Sequence, residues 1–159
     1  MARVAREVIY AALLAQLETA GDVFATYTRR WKSIWDDPLA QTAALPMLVQ
    51  WENAETVSWD NIGIGRVLRL GVMLELYTKI PDGETLGVKD ATTSGSEALN
   101  PLLDAIDTAL MPGDDDGRQT LGGVVWDCRI EGDIVKAMGD EDPSGLCGAL
   151  VPISILVPF

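Results

Sequence analysis

The sequence predicts an α/β (α+β) domain, with a mainly antiparallel β-sheet of about five strands and two helices packed on one face. Three observations carry this. Apolar residues recur at three- and four-residue steps over 7–20 and again from residue 100. They alternate with polar residues over Arg66–Lys79 and Val124–Lys136. The breaks between these segments are short and rich in Gly, Pro and Asp, so consecutive strands are free to turn back on one another. A length of 159 residues fits a single domain spanning residues 1–159, large enough to fold around its own core without metal or disulfide staples.

Each element has its own reason. In the first helix Ile9, Ala12, Leu13 and Leu17 share a face that Val8 and Leu14 widen, and Gly21 supplies the left-handed residue that ends it. Val23–Ile34 is rich in aromatic and β-branched residues and reads as a strand, stopped by Asp36-Asp37-Pro38. Leu45–Trp51 is a second short strand, and residues 53–65, with their Asn and Gly, read as a loop. In Arg66–Lys79 the side chains of Leu68, Leu70, Val72, Leu74 and Leu76 face one way, while Arg69, Glu75 and Lys79 face the other. The second helix is expected to start with Asn100 as cap and Pro101 in the first turn, and to bury Leu102, Leu103, Ile106, Ala109 and Leu110. Val124–Lys136 alternates again, with Val124, Trp126, Cys128, Ile130 and Ile134 inward. The apolar run Cys147–Val157 reads as a strand buried on both faces or in a partner. A hairpin centred near residues 141–142 sets Cys128 opposite Ile155, far from Cys147, so both cysteines are expected as free thiols.

Composition narrows function. Twelve basic and 24 acidic residues leave a net charge of −12, which disfavours binding to phosphate backbones. There is no histidine, which removes imidazole acid–base chemistry, Ser-His-Asp and Cys-His nucleophiles, and zinc sites that use His. No segment reaches the roughly 20 apolar residues of a membrane span, and the N-terminus lacks the pattern of a signal peptide, so a cytosolic site of synthesis is expected.

The short motifs favour plain readings. Asn61-Ile-Gly-Ile-Gly-Arg66 lacks the third glycine of a dinucleotide fingerprint and the Lys-Ser or Lys-Thr of a P-loop. Asp114-Asp115-Asp116-Gly117 fails the calcium-loop spacing, because Pro112 and Gly123 fall where carboxylates belong. It reads as a solvated acidic turn, with weak cation binding the other option. Asp104 and Asp107 on the second helix, and Asp127, Glu131 and Asp133 on one strand face, have no His or Lys beside them to tune acid–base work. They read as a solvent face or as the lining of a passage. Arg29, Arg30 and Lys32 form the compact basic cluster. Residues 1–32 hold five bases and three acids, a net +2, against −14 for the rest. The cluster either solvates a strand or meets the acidic part of another copy. Of the five tryptophans, Trp59, in a polar loop, is the best candidate for an interface.

Several segments together resemble the tail terminator (tail completion) proteins of long-tailed bacteriophages and prophages. These are Arg6-Glu-Val-Ile-Tyr-Ala-Ala-Leu-Leu14, Phe24-Ala-Thr with Arg29-Arg30, Leu99-Asn-Pro-Leu-Leu-Asp-Ala105, Gly117-Arg-Gln-Thr-Leu-Gly-Gly123, the strand Val124–Gly132 and Val151-Pro-Ile-Ser-Ile-Leu-Val157. The resemblance implies a structural virion protein of α/β fold, assembled in the host bacterial cytoplasm and located in the tail or neck region. It implies a homo-oligomeric ring, typically of six copies, on the head-proximal end of the tail tube. Such a ring halts tube polymerisation and forms the surface for head–tail joining. The implied partners are the tail tube protein and a head-completion or neck protein, with no cofactor, metal, membrane or catalytic residue. Genomic DNA would pass through the ring without specific binding. Asp114, Asp115, Asp116, Asp127, Glu131 and Asp133 would then line the passage, and Arg29, Arg30, Lys32 and Trp59 would meet a neighbouring subunit or the tube. Two other readings remain: a stopper or adaptor ring of the neck, and a small carboxylate- or Mg²⁺-dependent enzyme.

Overall fold

A computed structural model describes residues 4–29, 44–59, 66–80, 94–112, 116–137 and 145–158. Among these residues, two helices lie against one face of a six-stranded sheet. Helix α1 spans Arg6–Leu17 and runs into a 3-10 turn, Glu18–Val23. The strands are β1 (Thr26–Thr28), β2 (Met47–Trp59), β3 (Arg66–Lys79), β4 (Asp127–Ile130), β5 (Val135–Ala137) and β6 (Leu146–Pro158), and helix α2 spans Gly95–Ala109. The sheet order is β1-β2-β3-β6-β4, with β5 also on β6. β1 is parallel to β2 and every other pairing is antiparallel. The α+β architecture expected from the sequence is the one observed.

The alternation in β3 determines the core. Leu68, Leu70, Val72, Leu74 and Leu76 are all buried, opposite Val157, Ile155, Ile153, Val151 and Ala149 of β6. Onto this face pack Ile9, Leu13 and Leu17 of α1 and Leu99, Leu102 and Ile106 of α2. Full burial of each such side chain is worth about 1.5–3 kcal/mol. The other face carries a smaller cluster of Met47, Val49, Tyr77 and Leu146. Gln16 at the end of α1 donates to the carbonyl of Ala109 (2.7 Å), satisfying one of the orphaned carbonyls of α2 and joining the two helix C-termini.

Several expectations need correction. On α1 it is Tyr10 that joins the buried stripe, while Val8 is exposed. The strand expected over Val23–Ile34 is limited to Thr26–Thr28 within residues 23–29, and residues 30–34 lie outside the described region. Residues 53–59, expected as loop, continue β2 and pair with β3 through Trp59↔Arg66, after a bulge between Glu52 and Ala54. The loop reading failed because this half of the strand is exposed on every residue and so shows no apolar period. α2 starts not at Asn100 but one and a half turns earlier. There Ser94 accepts from the Glu97 amide (3.1 Å) and Glu97 accepts from the Ser94 amide (2.7 Å), a capping box. Pro101 therefore sits inside the helix.

The run Val124–Lys136 is two strands, not one. Gly132, at φ 125°, breaks it, and Trp126 and Ile134, expected inward, are 49% and 38% exposed. Across the break the sum of paired residue numbers changes, from Cys128↔Ile155 to Val135↔Leu150. The hairpin register itself is as expected, and Cys128 and Cys147 are both free and buried.

Candidate functional site

Three surfaces carry the polar chemistry of the described residues. The first is a charge cluster between α1 and β2. Arg29, just past β1, donates to Glu7 at 2.6 and 3.2 Å and to Glu52 at 2.7 and 3.1 Å, and lies over the Tyr10 ring at 5.8 Å. Next to Glu7 on α1, Arg6 grips Glu55 through two bonds of 2.5 and 2.6 Å. The hydrogen bonds to Arg29 lower the pKa of Glu7 and, together with the bond to Glu52, raise that of Arg29. Arg29, expected at a subunit or tube contact, is paired with two acids of its own chain and so links the N-terminal helix to β2. Arg30 and Lys32 lie outside the described residues.

The second surface is the sheet face away from the helices. Arg69 of β3 donates to both carboxylate oxygens of Glu131 at 2.8 Å and to the Ser154 hydroxyl at 3.0 Å. Arg129 of β4 stands 3.4 Å from Glu131 and 3.6 Å from Asp127. Burial works against the charge on Glu131, but the bonds from Arg69 and Ser154 prevail and its pKa is lowered. Beside this network lies a hollow of about 270 Å³ lined by Ala54, Thr56, Arg69, Gly71, Met73 and Ser154. It exists because β3 carries Gly71 where its neighbours carry side chains, and a Cβ there would stand 3.3 Å from the Ala54 carbonyl. Further along the same face a smaller hollow of about 170 Å³ is bounded by Glu75, Tyr77, Val135 and Leu150.

The expected acidic lining is therefore not a uniform acidic patch. Asp127 and Glu131 share a face with Arg69 and Arg129, two cations for two anions. Asp133 is exposed beyond the Gly132 break, outside any strand. Asp116 lies 3.9 Å from Arg118 on the turn before β4, and Asp114 and Asp115 lie outside the described residues. Asp104 and Asp107 are exposed on α2, as a solvent face requires. The alternation of charges along one strand was legible, but the arrival of Arg69 from two strands away was not.

The third surface is the end of the β2–β3 hairpin. Trp59 is 70% exposed, with the Arg66 guanidinium 5.4 Å from its ring. Its exposure fits the interface reading. The sequence singled out no role for Gln119, within Gly117–Gly123. Gln119 donates to the Met111 carbonyl (2.9 Å) and accepts from the Leu121 amide (3.0 Å), closing the turn between α2 and β4. The positive φ at Leu121, Gly122 and Gly123 was the available signal, through the Gly-Gly pair.

Among the described residues no group of three or more His, Cys, Asp or Glu side chains is placed to hold a metal ion, and no helix is long and apolar enough to cross a membrane. No protein-family model matches the chain, and no curated protein matches it at a significant level.

Proposed function

We propose that this chain is a structural protein of a bacteriophage or prophage tail. In this reading it forms a ring, of six copies, on the head-proximal end of the tail tube, stops tube growth and offers the surface to which the head's neck attaches. The reading is carried by the resemblance of segments spread from Arg6 to Val157 to tail terminator proteins. The α+β fold, with both helices on one face of a mainly antiparallel sheet, agrees with the fold that the resemblance implies. The exposed hairpin end with Trp59 supplies a contact surface, and the charge-balanced face around Arg69 and Glu131 offers phosphate no net cationic groove.

The test is electron microscopy of particles produced without this protein. Headless tails of uncontrolled length are the expected result. Tails of normal length that fail to join heads would reassign the chain to a stopper or adaptor ring of the neck, and normal infectious particles would refute both.

A further inference from the structure

The two outer edges of the sheet match each other in a way that a lone molecule does not need. On one side β1 covers β2 only at Met47–Val49, and no described strand pairs with the outer side of β2 from Gln50 to Trp59. Long edges of this kind are normally blunted by Lys, Pro, inward charges or bulges. Residues 50–59 contain no Lys, Arg or Pro, and past the bulge between Glu52 and Ala54 the register of residues 54–59 with β3 is regular. Their two acids, Glu52 and Glu55, are held by Arg29 and Arg6 of the same chain.

The opposite edge is β4, whose one described pairing is with β6. Register places the two edges on the same rungs. Thr56 pairs with Arg69, Arg69 with Leu156 and Leu156 with Asp127; Ala54, Gly71, Ser154 and Arg129 form the next such row. Direction fits as well. β2, β3, β6 and β4 alternate up and down, so in a neighbouring copy held in the same orientation β2 meets β4 antiparallel, the better-bonded pairing. Finally, five of the nine large hydrophobics exposed among the described residues flank these edges: Val57 and Trp59 on one, Trp126, Ile134 and Val135 on the other.

We propose that β2, beyond Val49, pairs with β4 of a second copy of this chain, so that adjacent subunits share one antiparallel sheet. This contact joins two different surfaces, so each copy still presents one of each, and the chain of contacts closes into a ring when the rotation per subunit allows it. Main-chain hydrogen bonds supply the affinity and the exposed Trp and Val side chains the register. The inference deepens the ring reading above and takes the number of copies from it, but the pairing is testable by itself.

The experiment is cysteine cross-linking of the purified full chain. Arg129→Cys is combined in turn with Ala54→Cys, Thr56→Cys and Ser58→Cys, and mild oxidation is followed by non-reducing electrophoresis. The native thiols are buried and stay silent. At least one double variant should give a ladder of dimer, trimer and higher species, while each single variant gives none. Dimers from a single variant would mean a twofold contact, and oligomers or monomers with no cross-link in any combination would equally overturn the proposal. Val57→Lys should cut the ladder yield at least tenfold while leaving the thermal transition of the subunit in place. An undiminished ladder in Val57→Lys would also count against edge pairing. Cross-linked rings that fail to limit tail length would leave this inference standing and remove the proposed function, and tail capping without cross-links would do the reverse.

Discussion

Gln50 offers a sharp test of how the N-terminal helix is seated. It lies on the helix-facing side of β2, opposite Leu74, and is fully buried. Its amide donates to the Tyr10 carbonyl at 3.0 Å, whereas its carbonyl oxygen has no partner. Replacing it by Met keeps the length and unbranched shape and removes both polar groups. The lost hydrogen bond costs about 0.5–1.5 kcal/mol, and relieving the unpaired acceptor returns about 1–3 kcal/mol. The Tyr10 carbonyl does not become an orphan, because inside α1 it already accepts from the amide four residues on. With a packing mismatch of about 0.5 kcal/mol and the middle of each range above, about 1 kcal/mol lost and about 2 returned, Gln50→Met should be about 0.5 kcal/mol more stable. At roughly 2–4 °C per kcal/mol for a chain of this size, calorimetry should show an unchanged or slightly raised melting temperature. Gln50→Ala, which loses the same groups but leaves a void, should melt lower. A fall of more than about 4 °C in Gln50→Met would refute the reasoning, since it would require an ordered partner, such as a buried water, on the carbonyl oxygen.

Three further outcomes are expected. Gly148→Ala should destabilise by about 1–3 kcal/mol in urea unfolding, because its Cβ would stand 2.9 Å from the Leu76 carbonyl, whereas Gly71→Ala, at 3.3 Å from Ala54, should cost clearly less. The Ser94 amide and hydroxyl lower the pKa of Glu97, and Arg29 lowers that of Glu7. Their contribution is thus full above the unfolded carboxylate value of about 4.3 and is lost as pH falls through the lower folded values. Glu97→Gln should flatten that acid limb in melting curves taken from pH 6 to pH 3, and an unchanged slope would contradict it. Burial pushes the Cys128 thiol up to about 12 and the Cys147 thiol up to about 11. At pH 8 neither should react with a thiol reagent in native protein, and both should in urea.

What was legible follows from where the core lies. β3 faces the core along its whole length, so its alternation named the five inward residues, and a turn centred at residues 141–142 was enough to place Cys128 opposite Ile155. The outer half of β2 has water on both sides, and its strand state is imposed by pairing with β3, which no local pattern reports. At α2 the Asn100-Pro101 pair imitates a helix start, yet the Ser94 and Glu97 capping box takes that role because it satisfies two amides at once. Of the candidate contact residues, Trp59 is exposed, while Arg30 and Lys32 lie outside the described residues. Whether a charge is available was not legible: Arg29 and Arg69 are each occupied by acids distant in sequence, Glu7 and Glu52 for one and Glu131 for the other.

The position of β6 has a consequence for how the chain comes into being. It is the latest strand in the sequence, yet it lies inside the sheet, bonded to β3 on one side and to β4 and β5 on the other. Until Leu146–Pro158 has left the ribosome, β3 has only the β2 hairpin beside it and the apolar rows of Leu68 to Leu76 stay half covered. Local helices and the hairpin form early, but the pairing of residues 66–79 with 146–158 closes a long loop and sets the pace of folding. Through that interval the nascent chain exposes the apolar face that β6 later covers, the stage at which aggregation competes with folding.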